Sequence, residues 1–325
     1  MKAARASDEV FVETAARLHF GVLDLGGSLG RWFGGIGAAA PGPTLLVSAR
    51  PAAVLDAEGQ DADRALEFAR KFRDHHPAFP TSVHLQIHRS LPEHAGLGSG
   101  TQLGLAVARA MAEIAGVSTD TGELACAIGR AKRSAIGTWT FAGGGLVLEG
   151  GRRPETDSVA PLLARLPFPK TWRCVVAVPD SRGISGPDEA AAFTALPPAP
   201  ERDVERVAHL VLMGLLPAIA DGDIATFGSA LSAIQTITGR WFAPVQGGAF
   251  ASGTSEDLVR RMPEWGAAGV GQSSWGPTVY GIVDGEAAGL HLADRVRDAM
   301  NGAGSVHEGP FRAEGARVWR GGLHD

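Results

Sequence analysis

The chain contains only two cysteines, Cys126 and Cys174, and they lie far apart among apolar neighbours. Such a pair provides neither a disulfide framework nor the cysteine spacing of a zinc site. We therefore expect two buried free thiols in a reducing compartment. The sequence also lacks a basic stripe, and its net charge is −5. This balance excludes nucleic acid as a main partner.

Long hydrophobic runs are absent as well. The longest apolar stretch, residues 210–220, is interrupted by Gly214 and Pro217 and is too short to span a bilayer. Residues 1–10 carry charges of both signs, which is not typical of a signal or transit peptide. The sequence therefore predicts a soluble cytoplasmic protein with no membrane partner.

The remaining composition allows a sizeable core, since the chain has 325 residues and 45% hydrophobic content. Prolines and charges accumulate between residues 150 and 169. We place a domain boundary there, which gives an N-terminal domain at residues 1–160 and a C-terminal domain at 161–325.

Helices and strands are predicted to alternate along the chain, which indicates an α+β fold. Apolar residues recur at helical spacing in 62–73, 103–116, 121–132, 204–220, 224–236 and 287–300. Strand patterns occupy 10–12, 18–23, 45–47, 83–87, 146–148, 174–178, 279–283 and 316–319. The segments 25–37 and 191–200 are rich in glycine or proline and are predicted as loops.

A glycine-rich loop, Gly96–Gly100, stands between a predicted strand and a predicted helix. A helix start offers unpaired N–H groups and the positive end of the macrodipole, and glycines let an anion approach closely. The hydroxyls of Ser99 and Thr101 can reach a phosphate or Mg²⁺. The loop lacks both the lysine of a Walker A motif and the spacing of a dinucleotide site. By itself it is more typical of a tight connection than of a phosphate site.

The wider sequence around this loop resembles known motifs. Residues 92–100 resemble the second motif of the GHMP superfamily, and 271–278 resemble its third motif. The strings 16–24, 133–138 and 271–281 resemble one family of that superfamily more narrowly, the β-ribofuranosylaminobenzene 5′-phosphate synthases of tetrahydromethanopterin biosynthesis. The resemblance extends over nearly the whole chain. It implies a GHMP-kinase-like fold, with an N-terminal ribosomal-S5-like domain containing a left-handed βαβ unit and a C-terminal ferredoxin-like domain.

The resemblance also implies an activity. The family joins a para-substituted benzoate, 4-aminobenzoate or 4-hydroxybenzoate, to 5-phosphoribosyl 1-pyrophosphate and releases CO₂ and pyrophosphate. Pyrophosphate departure leaves positive charge at the ribose anomeric carbon, so donors or Mg²⁺ must neutralise the leaving anion. The aromatic ring must be held against that carbon. We accordingly expect Mg²⁺ as cofactor and a homodimer.

Three residues near the start of the chain are candidates for catalysis through this resemblance: Arg17, His19 and Asp24. Arginine pairs bidentately with phosphate or carboxylate, and Asp24 could hold Mg²⁺ or a hydroxyl. Without the resemblance, Arg17 would be interpreted as a surface ion pair, His19 as a core histidine and Asp24 as a turn residue.

The binding residues implied by the resemblance fall into three groups. For phosphate they are Gly96, Leu97, Gly98, Ser99, Gly100, Thr101, Arg133, Ser134 and Thr138, the last three for either the 5′-phosphate or the ring carboxylate. For the substrate they are Gln272, Ser273, Ser274 and Trp275; for the metal, Ser99 and Glu123. The indole of Trp275 either stacks on an aromatic substrate or anchors the core. The cluster Arg130, Lys132 and Arg133 is either a solvated helix face or a phosphate site.

Two other functions stay open. Many GHMP kinases carry a Ser-Gly-(Ile/Val)-Asp string whose aspartate acts as base, but here 134–138 contains no carboxylate. The first alternative is nevertheless an ATP-dependent small-molecule kinase. The second is a non-catalytic sensor that binds a metabolite on the same fold.

Overall fold

A computed structural model describes residues 9–77, 82–181, 183 and 186–323 of the chain. The strands are β1 (Val10–Asp24), β2 (Phe33–Ala52), β3 (Asp56–Gly59), β4 (Ser82–Arg89), β5 (Leu146–Glu149), β6 (Leu162–Leu166), β7 (Trp172–Pro179), β8 (Gly269–Gln272), β9 (Val279–Asp284), β10 (Gly304–Pro310) and β11 (Arg317–Arg320).

The helices lie mainly between these strands. They are α1 (Ala62–His75), α2 (Ser99–Ala115), α3 (Thr121–Ala127), α4 (Ile136–Gly143), α5 (Gly186–Ala195), α6 (Glu201–Leu210), α7 (Leu216–Asp221), α8 (Ile224–Gln246), α9 (Thr254–Arg261) and α10 (Glu286–Met300). A π-helical turn, Val211–Leu215, joins α6 to α7, and a 3₁₀ turn, Met262–Trp265, follows α9.

The larger sheet has the order β11-β1-β2-β4-β3, with β5 paired to β2 and β6 paired to β5. The long strands β1 and β2 form an antiparallel pair that is the centre of this sheet. β3 and β4 pair in parallel, and α1 supplies the crossover that parallel neighbours require. This is the βαβ unit of the N-terminal half.

The smaller sheet is antiparallel throughout and has the order β10-β7-β9-β8. Numbered within this unit, that is the order 4-1-3-2 of a ferredoxin-like layer, with α5–α9 between its first two strands and α10 between its last two. The predicted C-terminal architecture is therefore confirmed.

One buried apolar core reaches from the larger sheet through α2 to α8, and it includes Phe20, Leu103 and Ile234. A second cluster packs β9 against α10 through Val283 and Leu292. Because the first core contains side chains from both sheets, it fixes the N-terminal half of the chain against the C-terminal half.

Several element boundaries differ from those predicted. The segment 25–37 was predicted as a loop, but its last residues are strand, because β2 begins at Phe33 and pairs with β1. The helix α4 lies where no helix was predicted, and it packs closely on the sheet because Gly37 has no side chain to obstruct Ile136. The predicted loop 191–200 begins inside α5.

The strands β6 and β11 lie after the predicted boundary at residue 160, yet both belong to the larger sheet. β6 pairs with β5, and β11 pairs with β1. The residues of β11 and β1 are distant in sequence. Such pairing leaves no mark in local composition.

Candidate functional site

The glycine-rich loop leads directly into α2, whose first residue is Ser99. Gly96 and Gly98 have left-handed φ values of 73° and 75°. A Cβ atom on Gly98 would stand 2.9 Å from Cγ of Arg17, and one on Gly96 would overlap the carbonyl oxygen of Ser273. Glycine is therefore required at both positions, by backbone conformation and by space.

A turn from the C-terminal half faces this loop. The hydroxyl of Ser273 donates a hydrogen bond to the carbonyl oxygen of Gly96 at 2.6 Å, and the guanidinium of Arg17 donates to the same oxygen. The backbone N–H of His19 donates to the Ser273 hydroxyl at 2.9 Å. Ser273 thus joins β1, the glycine-rich loop and the opposing turn at one point.

A cavity of about 650 Å³ lies between these segments. The predicted residues that line it are Arg17, His19, Gly96, Leu97, Gly98, Ser99, Gly100, Thr101, Arg133, Ser134, Gln272, Ser274 and Trp275. Its lining cations are Arg17, Arg64, Arg130, Lys132 and Arg133. Among the described lining residues, Glu93 is the one carboxylate. The cavity therefore attracts polyanions.

The cationic end of the cavity lies at the start of α2. A Cβ atom on Gly100 would stand 2.6 Å from a guanidinium nitrogen of Arg130 and 3.2 Å from one of Arg64. Arg130 also stacks on the ring of Phe68, with 4.9 Å from the guanidinium carbon to the ring centroid. Arg64 contacts Glu93. Two guanidinium groups thus reinforce the positive end of the helix dipole.

The other end is an aromatic wall formed by Phe33, Phe193, Phe242 and Trp275. The Trp275 ring centroid lies 4.7 Å from that of Phe242 and 5.4 Å from that of Phe193. Phe33 meets Phe193 at 5.7 Å. Trp275 is 4% exposed and packs in this wall, as a core anchor does, and it also lines the cavity. A core anchor and a surface for an aromatic substrate are therefore compatible at this position.

Side-chain amides hold the turn that carries Trp275. The Gln272 side-chain oxygen accepts a hydrogen bond from the N–H of Ala251 at 2.6 Å, and its amide nitrogen donates to the Ser274 carbonyl at 3.1 Å. The Gln235 side chain accepts from the Gln272 N–H at 2.8 Å and donates to the Phe20 carbonyl at 2.7 Å. Gln272 therefore shapes the turn as well as lining the cavity.

Two buried titratable side chains, His19 and Glu149, approach β2 at the same point: a Cβ atom on Gly35 would stand 3.4 Å from the His19 ring and 3.3 Å from the Glu149 carboxylate. Burial lowers the pKa of His19 to about 3, and the Arg17 charge adds to this, so the imidazole is neutral at neutral pH. Burial raises the pKa of Glu149 to about 7, although its carboxylate accepts N–H groups of Gly151 at 2.8 Å and Ala135 at 3.4 Å.

Backbone strain is concentrated at the cavity. Four residues other than glycine have left-handed backbones there: Phe33, His94, Ala131 and Ser274, with φ between 56° and 70°. Each such residue costs free energy that the surrounding packing must offset, and residues of this kind cluster at functional sites.

Four predicted residues do not line the cavity: Asp24, Glu123, Thr138 and Ser273, whose hydroxyl instead bonds the Gly96 carbonyl. The Asp24 carboxylate accepts backbone N–H groups of the following turn, including that of Gly26 at 2.7 Å, as its turn interpretation requires. Glu123 accepts the Asp120 N–H at 3.2 Å in the capping box of α3. Thr138 is fully buried in α4. Local backbone needs occupy the first two side chains, and helix packing encloses the third.

Arg64, Glu93 and Glu149 were not predicted from the sequence, and neither were the three phenylalanines of the aromatic wall. Arg64 lies on α1 in an ordinary amphipathic pattern, and nothing in that pattern marks it. Glu93 lies beside the glycines within residues 92–100, and of these residues it is the one that a sequence motif marks.

Two family models and several curated relatives match this chain. The model of the GHMP kinases N terminal domain matches residues 63–144, and that of the GHMP kinases C terminal matches 215–303. The chain is 35% identical to a β-ribofuranosylphenol 5′-phosphate synthase of Methanothermobacter thermautotrophicus over 85% of this chain and 89% of the relative. It is 36% identical to the enzyme of that name from Archaeoglobus fulgidus, over 87% and 91%.

The fold matches solved structures as well. A homoserine kinase from Cytophaga hutchinsonii superposes with a TM-score of 0.74 at 15% identity, covering 98% of this chain and 100% of the other. This likeness confirms the predicted two-domain fold. Within the described residues, each helix is too short or too polar to cross a membrane.

Proposed function

We propose, since the chain belongs to the β-ribofuranosylphenol 5′-phosphate synthase family, that it joins 5-phosphoribosyl 1-pyrophosphate to a para-substituted benzoate in tetrahydromethanopterin biosynthesis. Carbon dioxide and pyrophosphate are the released products. The observation that carries the proposal is the polarity of the cavity. One end is cationic and lies at the start of a helix, and it matches the anionic pyrophosphate of the donor. The other end is aromatic and matches the ring of the benzoate.

The cationic end suits the pyrophosphate of the donor. Backbone N–H groups at the start of α2 and the guanidinium groups of Arg64 and Arg130 converge near Gly100. As the bond from the anomeric carbon to pyrophosphate breaks, the departing oxygens gain negative charge, which these fixed donors stabilise.

The aromatic end suits the acceptor. A benzoate ring lying on Trp275 and its neighbours can present its carboxyl-bearing carbon to the ribose. The new C–C bond forms there, the bond to the carboxylate breaks, and its electron pair restores the aromatic ring as CO₂ leaves. The relatives' name specifies a phenol, so the proposed acceptor is 4-hydroxybenzoate.

Arg17 and His19 support this chemistry from β1. Arg17 holds the Gly96 carbonyl and so fixes the glycine-rich loop. The low pKa of His19 keeps its ring neutral. A neutral ring does not oppose the positive charge that develops on the ribose, whereas an imidazolium would.

The residues present fit Mg²⁺ as a cofactor shared with the substrate. Magnesium usually takes one or two protein oxygens together with phosphate oxygens and waters. The Ser99 hydroxyl and the Glu93 carboxylate line the same end of the cavity and would hold it. No group of three or more His, Cys, Asp or Glu side chains able to hold a metal occurs among the described residues. When bound, the ion would neutralise the pyrophosphate.

The test incubates purified protein with phosphoribosyl pyrophosphate, Mg²⁺ and carboxyl-labelled 4-hydroxybenzoate. Labelled CO₂ and pyrophosphate should appear in equal amounts, with a ribosylated phenol in the mass spectrum. A parallel mixture contains 4-aminobenzoate, and another replaces the donor with ATP. Phosphate transfer only with ATP would indicate a kinase, and ligand binding without turnover would indicate a sensor. A homodimer and a cytoplasmic location remain part of the proposal, and sedimentation and cell fractionation test them.

A further inference from the structure

Arg133 lines the cavity and contacts its aromatic wall. Its guanidinium carbon lies 5.0 Å from the ring centroid of Phe193, a member of the aromatic wall. By contrast, Arg64 and Arg130 converge on Gly100 at the start of α2. Arg133 is therefore a neighbour of Arg130 in sequence but contacts the aromatic wall.

We infer that Arg133 recognises the carboxylate of the aromatic acid, and this inference rests on the proposed function. A benzoate carries its carboxylate in or near the ring plane, at the ring edge. A ring held by Phe193 and Trp275 therefore needs a planar cation beside that wall. Arginine provides such a cation, because its N–H groups form a rigid fork that binds both carboxylate oxygens.

The alternative ligand for Arg133 is a phosphate of the donor. The proposed pyrophosphate site already contains the α2 amides and the two guanidinium groups near Gly100. A separate cation at the aromatic wall keeps the benzoate carboxylate from competing for that end. It also holds the ring with the carboxyl-bearing carbon toward the cationic end, where the anomeric carbon must lie.

The carboxylate leaves as CO₂ during the reaction, so the product no longer carries the group that Arg133 binds. Arg133 should therefore contribute to binding of the acid and not to binding of the phenol product. An interaction of this kind affects KM for the acid more than kcat.

The test compares wild type with Arg133→Met, which removes charge, and Arg133→Lys, which keeps charge without the fork. We expect Arg133→Met to raise KM for 4-hydroxybenzoate about 10- to 100-fold, the range for a hydrogen-bonded charge pair. The KM of Arg133→Lys for the same acid should lie between those of wild type and Arg133→Met. KM for phosphoribosyl pyrophosphate and the inhibition constant of the product should change less than about twofold.

Two further variants serve as controls. Arg130→Met should show the reverse pattern, with a raised KM for the donor and an unchanged KM for the acid. Arg153→Met removes an exposed arginine that does not line the cavity, and both KM values should stay as in wild type. Circular dichroism verifies that each variant is folded.

A raised KM for the donor in Arg133→Met, with an unchanged KM for the acid, would assign Arg133 to phosphate and overturn the inference. Calorimetry separates this from failure of the proposed function. Wild type should bind 4-hydroxybenzoate more tightly than its amide, and Arg133→Met should abolish that preference even in protein that shows no turnover. Equal preference in both proteins, or no acid binding by wild type, would also overturn the inference.

Discussion

The two ends of the cavity are built in different ways. The cationic end depends on one continuous segment, Gly96–Gly100 and the first turn of α2, with side chains added from α1 and from the loop after α3. The aromatic wall is assembled from four separate places: Phe33 from β2, Phe193 from α5, Phe242 from α8 and Trp275 from a turn. An anion site can therefore be local, because helix amides create it. A flat apolar surface requires distant elements.

The largest expected effect comes from filling the space between the glycine-rich loop and the turn that faces it. Gly96→Ala should reduce activity more than about 100-fold and destabilise the fold by about 2 to 4 kcal/mol, because its Cβ would overlap the Ser273 carbonyl. Urea unfolding and steady-state kinetics measure both effects. Gly222→Ala is the matched control, since Gly222 also has a left-handed φ of 73° but no atom within 4 Å of the added Cβ. Equal losses in both variants would contradict the steric explanation.

The next effect concerns Glu149, a buried carboxyl group that does not line the cavity. The folded pKa of Glu149 is raised to about 7 from 4.5, so the unfolded chain loses this proton at lower pH than the folded chain does. The stability contribution of Glu149 therefore falls as pH rises from about 4.5 to 7 and then stays constant.

Glu149→Gln should remove that pH dependence. Between pH 5 and 8 the wild type should lose about 2 to 3 kcal/mol relative to the variant, from a shift of this size. Denaturant unfolding at several pH values measures the difference. The opposite pH dependence expected from His19 is common to both proteins and cancels. A difference that does not vary with pH would show that Glu149 is ionised throughout.

A third prediction separates the aromatic wall from the cationic end. Trp275→Leu should raise KM for the aromatic acid about tenfold through loss of ring contact, while KM for the donor stays within about twofold. Trp319→Leu, on β11 and outside the cavity, should lower stability without changing either KM. Parallel increases of both KM values in Trp275→Leu would mean that the indole supports the whole site.

The smallest effect is expected at the start of α2. Ser99→Ala removes one hydroxyl and leaves the backbone amides in place, so affinity for the phosphorylated donor should fall about two- to tenfold. Calorimetric titration with phosphoribosyl pyrophosphate and Mg²⁺ measures this, and binding of 4-hydroxybenzoate should be unchanged. A larger loss than that of Arg130→Met would make the hydroxyl, and not the guanidinium groups, the main ligand.

The sequence determined the parts of this protein that depend on neighbours along the chain. The helix after Gly98, its end at Gly116 and the need for glycine in the loop follow from local conformation, and the structure has all three. The turn around Trp275 was also recognisable, through its resemblance to a known motif.

Only the tertiary structure decided which side chains share the cavity. Arg17 and Ser273 are 256 residues apart and 3.4 Å from each other, and Arg64 reaches Gly100 from a helix with an ordinary pattern. The tertiary structure also places Asp24, Glu123 and Thr138 outside the cavity walls. Their residue types suited a site, but the direction of a side chain depends on packing between elements, which a linear pattern does not encode.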